Sequence, residues 1–251
     1  MTLVNGTLRI EAAPGRLLVR LDRPHVRNAI DAAMVADLHE VCADLERDPR
    51  VLVLTGAPGV FAAGADLREL RERGREDALA GINSGLFDRV ARLPLPTIAA
   101  VDGPALGGGA ELAYACDFRL ATPRARFGNP ETGLGIMAAA GACWRLRELV
   151  GEPLAKEVLL AGRVLSAAEA AEVRLVNELV PEEDLLDAAA RWADRILTGA
   201  PLALRLTKLA LAAPPGAHPR FDDVAQAVLF ETDEKRQRMT AFLNRPKRSD
   251  R

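Results

Sequence analysis

The chain has 251 residues, which permits one large domain or a domain with an appendage, and its 49% hydrophobic and 27% charged content is that of an ordinary soluble globular protein. A net charge of −2 gives no electrostatic reason to expect nucleic acid or an anionic membrane as partner. Cys42, Cys116 and Cys143 are widely spaced, odd in number and form no CxxC pair, which argues against a disulfide framework or zinc site and fits a reducing, cytoplasmic setting.

The first residues lack a basic n-region and an apolar h-region, so no signal peptide is expected, and no apolar run approaches the ~18–20 residues of a membrane span. Residues 17–21 alternate weakly as a strand and end at Asp22-Arg23-Pro24. From 30 to 45, Met34, Val35, Leu38, Val41, Cys42 and Leu45 recur at helical spacing. Residues 51–54 form a continuous apolar run, the mark of a buried parallel strand. A Gly/Ala-rich loop over 61–65 follows, and Asp-Leu-Arg-Glu at 66–69 reads as a capping box, Asp66 as N-cap and Glu69 at N3.

The same order returns downstream: a strand at 97–101, glycines at 107, 108 and 109, then a helix from about Gly108. Further strands are predicted at 118–121 and 176–180. Strands alternating with helices imply β–α crossovers on a sheet, with ligands collecting where strand ends give way to helix starts. Beyond Glu182 the pattern is helical only, over 182–197, 201–212, 221–231 and 233–243. The expected organisation is therefore an α/β core over 1–181 and a helical region over 182–251.

Common chemistries find no support. Serine occurs only at 84, 166 and 249 and histidine only at 25, 39 and 218, which disfavours a Ser-His-Asp triad. Neither nucleotide-binding glycine fingerprint is present, and no His/Cys spacing suits a metal. The stretch 103–115, Gly-Pro-Ala-Leu-Gly-Gly-Gly-Ala-Glu-Leu-Ala-Tyr-Ala, is more informative. Its glycines let a ligand approach the main chain, and a helix starting there leaves N–H groups unpaired at the positive end of its dipole. Glu111 lies inside that apolar run, although a glutamate in a first turn is also an ordinary dipole partner. Glu131, in the glycine-punctuated loop 127–135, supplies a second carboxylate. Two carboxylates in an apolar site raise at least one pKa, which suits proton transfer near neutrality.

With these strings the chain resembles the crotonase superfamily, and within it the enoyl-CoA hydratases. The resemblance rests on Phe-Ala-Ala-Gly-Ala-Asp-Leu at 61–67, Ala-Val-Asp-Gly-Pro-Ala-Leu-Gly-Gly-Gly-Ala-Glu-Leu-Ala at 100–113, Cys116-Asp117, and Phe-Gly-Asn-Pro-Glu-Thr-Gly-Leu-Gly at 127–135. Shorter matches at 165–170, 175–180 and 239–242 extend it over nearly the whole chain. It implies an α/β fold, a crotonase-like spiral of ββα units with a C-terminal helical trimerisation region, assembled as a homotrimer or a hexamer. It implies an acyl-CoA thioester as substrate and no separate cofactor. By the same resemblance the amides of Ala65 and Gly108 hold the thioester oxygen, Glu111 acts as base toward a water, and Glu131 moves the proton at the α-carbon. Val26, Ala63, Asp66 and Leu67 should border the CoA nucleotide, with helix capping the favoured role for the Asp66 side chain. Gly107 and Pro130 should border the thioester, and Arg68 and Arg245 match positions that meet CoA phosphates, a solvated charge being the alternative for each. The chain departs from the family at His25, where lysine is common, and at Ala138-Ala139, which replace a usual Pro-Gly and alter that turn without removing its amides. The expected activity is hydration of a trans-2-enoyl-CoA. A Δ3,Δ2-isomerase or other crotonase-type reaction, or a non-catalytic acyl-CoA- or RNA-binding role, are the alternatives.

Overall fold

A computed structural model describes residues 2–244, so Arg245 lies outside the described residues. The chain begins with a meander: β1 (Thr2–Asn5), β2 (Leu8–Ala13) and β3 (Arg16–Leu21) pair antiparallel. Two-residue turns at 6–7 and 14–15 join them, with Gly6 and Gly15 at positive φ, as tight hairpins require. Helix α1 (Ala32–Arg47) follows, its first turn closed by Asp31, which accepts from the Met34 amide at 2.8 Å. The periodic residues Met34, Val35, Leu38, Val41, Cys42 and Leu45 are its buried face.

Strand β4 (Val51–Thr55) is buried throughout and runs parallel to β3. Three short helices come next, α2 (Leu67–Glu72), α3 (Arg75–Ala80) and α4 (Ile82–Ala91), the last packing Leu86, Phe87 and Val90 inward. Strand β5 (Thr97–Val101), short β6 (Pro104–Leu106), helix α5 (Gly108–Ala115) and strand β7 (Phe118–Ala121) follow in quick succession. Then come β8 (Arg126–Gly128), helices α6 (Ala142–Val150) and α7 (Glu152–Ala161), β9 (Leu165–Ser166), α8 (Ala167–Glu172), β10 (Glu178–Leu179) and α9 (Leu185–Leu197). The main sheet has the order β1-β2-β3-β4-β5-β7-β10, parallel from β3 onward, and β6, β8 and β9 form a second, three-stranded sheet. This alternation of strand and helix is the expected α/β arrangement.

Two expectations need correction. The strand expected at 176–180 is only two residues long, because at its start Val176 N–H donates to Ala170 O in α8 and not to β7. The capping box at 66–69 does not form. Asp66 caps α2 through the Arg68 amide at 3.0 Å, and Glu69 instead accepts from the Ala32 amide at 2.9 Å, at the start of α1. A carboxylate there meets unpaired N–H groups and the positive end of a sixteen-residue helix, a better partner than its own short one.

The chain divides into two compact units, one up to Arg195 and one from Ile196. Within the second, α10 (Pro201–Ala212), α11 (Arg220–Phe230) and α12 (Asp233–Leu243) contain no buried residue. Leu211, Val224 and Leu243 are among its exposed apolar side chains. No helix among the described residues is long and apolar enough to cross a membrane.

Candidate active site

The site is assembled around Gly107, at the junction of β6 and α5. This residue has φ 53° and ψ −126°, and a Cβ there would sit 3.3 Å from Glu131 Oε1. Its carbonyl accepts the Glu111 amide at 3.0 Å and Asn129 Nδ2 at 3.4 Å, while its own amide donates to Gly128 O at 2.8 Å. One peptide thus ties α5, which carries Glu111, to the segment that carries Glu131.

The 57–66 segment lies beside this junction, tied by isolated bridges between Ile30 and Ala65 and between Ala62 and Ala105. Ala62 O lies so close to α5 that a Cβ on Gly109 would meet it at 2.2 Å, which explains why that position carries no side chain. The bridge at Ala65 consumes the flanking groups: Ile30 N–H donates to Gly64 O at 2.8 Å and Asp66 N–H to Ile30 O at 2.9 Å. The Ala65 N–H itself has no acceptor among the described residues, and neither does that of Gly108 in the first position of α5. The two are neighbours, since a Cβ on Gly108 would lie 3.4 Å from Ala65 N. Asn83 adjoins them: its Oδ1 accepts from Arg73 at 2.8 Å, and its Nδ2 would be 4.0 Å from the same methyl.

Both carboxylates are buried. Glu111 Oε1 accepts two backbone donors, Ala140 N–H at 2.8 Å and Ala142 N–H at 3.1 Å. Burial drives its pKa up to about 7, the charge of Glu131 adds to this, and the two amides and Arg145 oppose it. Glu131 opens a single 3-10 turn over Glu131–Leu134. Its Oε1 accepts from Asn129 Nδ2 at 3.3 Å, and its Oε2 is buried without a partner. Burial raises this carboxyl as well, and its own backbone amide and then the Asn129 bond pull the other way.

Of the other predicted positions, Gly107 adjoins Glu131, and exposed Pro130 caps its turn. Val26 ends a 3-10 turn next to the same loop, where Ala63 N–H donates to Arg27 O at 3.0 Å. Asp66 is the α2 cap and also lies 3.6 Å from Arg23, so its side chain is committed to structure. Leu67 and Arg68 are exposed at the start of α2. The Ala140 and Ala142 donors carried no residue-type signal, because any residue supplies an amide. Among the described residues, no cluster of histidine, cysteine or carboxylates could hold a metal.

An α/β spiral that brings two free amides beside two buried glutamates invites comparison with known proteins. Residues 12–248 match the family described as enoyl-CoA hydratase/isomerase. The chain belongs to that family. It is similar to the short-chain-enoyl-CoA hydratase of Clostridium acetobutylicum, 36% identical over 241 residues and 92% of each chain. It also resembles the crotonyl-CoA hydratase of Syntrophomonas wolfei, 37% identical over 238 residues, covering 90% of this chain and 91% of that one. The crystal structure of an enoyl-CoA hydratase from Bacillus anthracis superimposes with a TM-score of 0.89 at 32% identity, covering 94% of this chain and 95% of that one. The fold is that of these family members, the crotonase fold.

Proposed function

We propose that the chain is an enoyl-CoA hydratase, adding water across the 2,3 double bond of a trans-2-enoyl-CoA to give a 3-hydroxyacyl-CoA. The observation that carries this reading is the adjacency of two unpaired main-chain donors, at Ala65 and Gly108, to a pair of buried carboxylates, each raised by its burial. The donors receive the thioester oxygen and stabilise the negative charge that develops on it as water adds at C3, a fixed electrostatic contribution needing no reorganisation. Glu111, with a pKa of about 7, is ionised in a large fraction of molecules at neutral pH and takes a proton from the water. Its two backbone donors both use Oε1, so Oε2 is the oxygen available for that water. Glu131 delivers a proton to C2. One hydroxyl and one proton are added, the double bond is consumed, and two carboxylates suffice without a cofactor, coenzyme A being part of the substrate.

By the same reading Gly107 and Pro130 border the thioester, and Val26, Ala63, Asp66 and Leu67 border the nucleotide of CoA, with Arg68 and Arg245 near its phosphates. The unburied apolar residues of α10 to α12 support assembly as a trimer or a dimer of trimers, which light scattering would measure. The widely spaced, unpaired cysteines favour a cytoplasmic enzyme.

The deciding experiment is incubation with crotonyl-CoA, following the enone absorbance and identifying the product. Loss of absorbance with 3-hydroxybutyryl-CoA as product is expected. Acyl-CoA binding with constant absorbance would leave only a binding role. A shifted double bond from a 3-enoyl-CoA, without hydration, would make the protein an isomerase.

A further inference from the structure

The turn that grips Glu111 has a support of its own, on residues that the proposed reaction leaves unused. Gly141 has φ 135°, and a Cβ there would lie 2.2 Å from Arg145 Nη1, so the guanidinium occupies the space a side chain would fill. Arg145 Nη1 donates to Ala140 O at 3.4 Å, and Nη2 donates to Asp88 Oδ1 at 3.2 Å. Its side chain is only 11% exposed, with the Trp144 ring 5.0 Å away. Asp88 belongs to α4, whose Leu86, Phe87 and Val90 are core residues, so one end of this link is fixed to the fold. The other end is the turn whose Ala140 and Ala142 amides converge on Glu111 Oε1. A guanidinium presents several donors in a rigid fork, which suits it to bridging a carboxylate and a carbonyl at once.

We propose that Arg145, clamped by Asp88, is a positioning residue that keeps the Gly141 turn folded with both of its amides on Glu111. This rests on the reading of Glu111 as the base. Charge works in the same direction as geometry: Arg145 opposes the rise in the Glu111 pKa that burial and Glu131 produce. The other titratable groups acting here are Tyr114 on α5 and Cys143 on α6, which both sense Glu111 and Glu131. Asp88, Glu148, Arg92 and Glu111 itself act on Arg145. Tyr114 and Cys143 are held protonated by burial, which leaves Arg145 as the cation opposing Glu131.

The test uses Arg145→Met, Arg145→Lys and Asp88→Asn in the full-length protein, with Arg147→Met, an exposed residue of the same helix, as control. Arg145→Met should lower kcat/KM for crotonyl-CoA roughly 10- to 100-fold, the scale of a misplacement of about 1 Å. The acid limb of its pH profile should move up, as should the titration of the Glu111 carboxyl followed by 13C NMR and assigned with Glu111→Gln. Deuterium exchange of the 138–144 amides should accelerate in Arg145→Met and, less, in Asp88→Asn. Arg145→Lys should restore the titration more than the rate, because an ammonium supplies the charge without the fork. Arg147→Met should match the wild type. A folded Arg145→Met whose titration is unmoved or moves down, as water entering a merely loosened turn would cause, overturns the proposal. So does unchanged exchange in Asp88→Asn, which decides the matter if Arg145→Met does not fold. Exchange and titration need no turnover, so a wild type inactive on every enoyl-CoA would sink the hydratase reading without touching these results.

Discussion

The two glutamates differ most in how they are held. Glu111 sits on a helix that is buried over its whole length, and two main-chain N–H groups converge on one of its oxygens. Glu131 opens a one-turn 3-10 segment, and its single side-chain donor is Asn129 at a long 3.3 Å, with the other oxygen unpartnered. Main-chain donors cannot turn away without moving the fold, whereas an asparagine amide rotates about its own bonds. The arrangement therefore couples one rigid acid with one adjustable acid. Burial raises both, yet Glu111 reaches about 7 even against two amides and a guanidinium, which shows how strongly its surroundings disfavour the charge. In the proposed reaction the rigid member aims the water, and the adjustable one follows the α-carbon as it changes geometry.

The largest expected effect tests that division. Glu111→Gln and Glu131→Gln should each lose roughly 10²–10⁴-fold in hydration rate, with folding intact. The double variant should fall little further, because both groups serve one step. Exchange of the α-hydrogens of a saturated acyl-CoA in heavy water separates the roles: it should survive in Glu111→Gln and vanish in Glu131→Gln. Equal loss of exchange in both would erase the distinction.

Much of this arrangement is legible in the amino-acid order, and the remainder is hidden for physical reasons. Strand β5 and the start of α5 follow from an apolar run and the consecutive glycines after it, because a buried parallel strand and a tight helix entry each demand those residue types. The meander β1–β2 is harder to read. Strand β2 carries Arg9 and Glu11, with only Leu8 fully buried, so its alternation is faint and Gly6 and Gly15 are its main markers. The donors to Glu111 are silent for another reason: they are peptide groups of alanines, fixed by a turn that depends on Gly141 and Arg145 from further along the chain. Glu69 shows the limit of local motifs, since a partner 37 positions away took the carboxylate that a capping box would have used.

A smaller effect concerns stability. A carboxyl with an ordinary pKa near 4.5 and a folded value of about 7 keeps its proton in the native state across that interval. The native state binds more protons there than the unfolded one, so stability falls as pH rises through the interval, and the cost is complete above pH 7. Glu111→Gln lacks this cost. It should be more stable than the wild type at pH 8, by about 1–3 kcal/mol, and equal to it near pH 4. Glu131→Gln should show the same sign, because its carboxyl is also raised. Urea unfolding at several pH values measures both, and a pH-independent difference would mean that the burial cost is not carried by these charges.

The smallest change sharpens the contrast most directly. Asn129 is buried, its Nδ2 reaches Gly107 O and Glu131 Oε1 at long distances, and its Oδ1 has no partner. In Asn129→Ala a weak donor disappears together with an oxygen already deprived of hydrogen bonds, so the stability changes should partly cancel, to within about 1 kcal/mol. Gly107 O keeps the Glu111 amide, and the rigid acid keeps its place. Glu131 loses a donor that favours its ionised form, so its pKa should rise further, and because Glu131 must hold its proton in order to deliver it, the alkaline limb of the pH–rate profile should move up. A loss of about 0.5–1.5 kcal/mol, the net worth of one ordinary hydrogen bond, corresponds to roughly 2- to 13-fold in rate. If Asn129→Ala instead disabled the enzyme as thoroughly as Glu131→Gln, Glu131 would depend on that amide as strictly as Glu111 depends on its turn, and the two acids would be held alike.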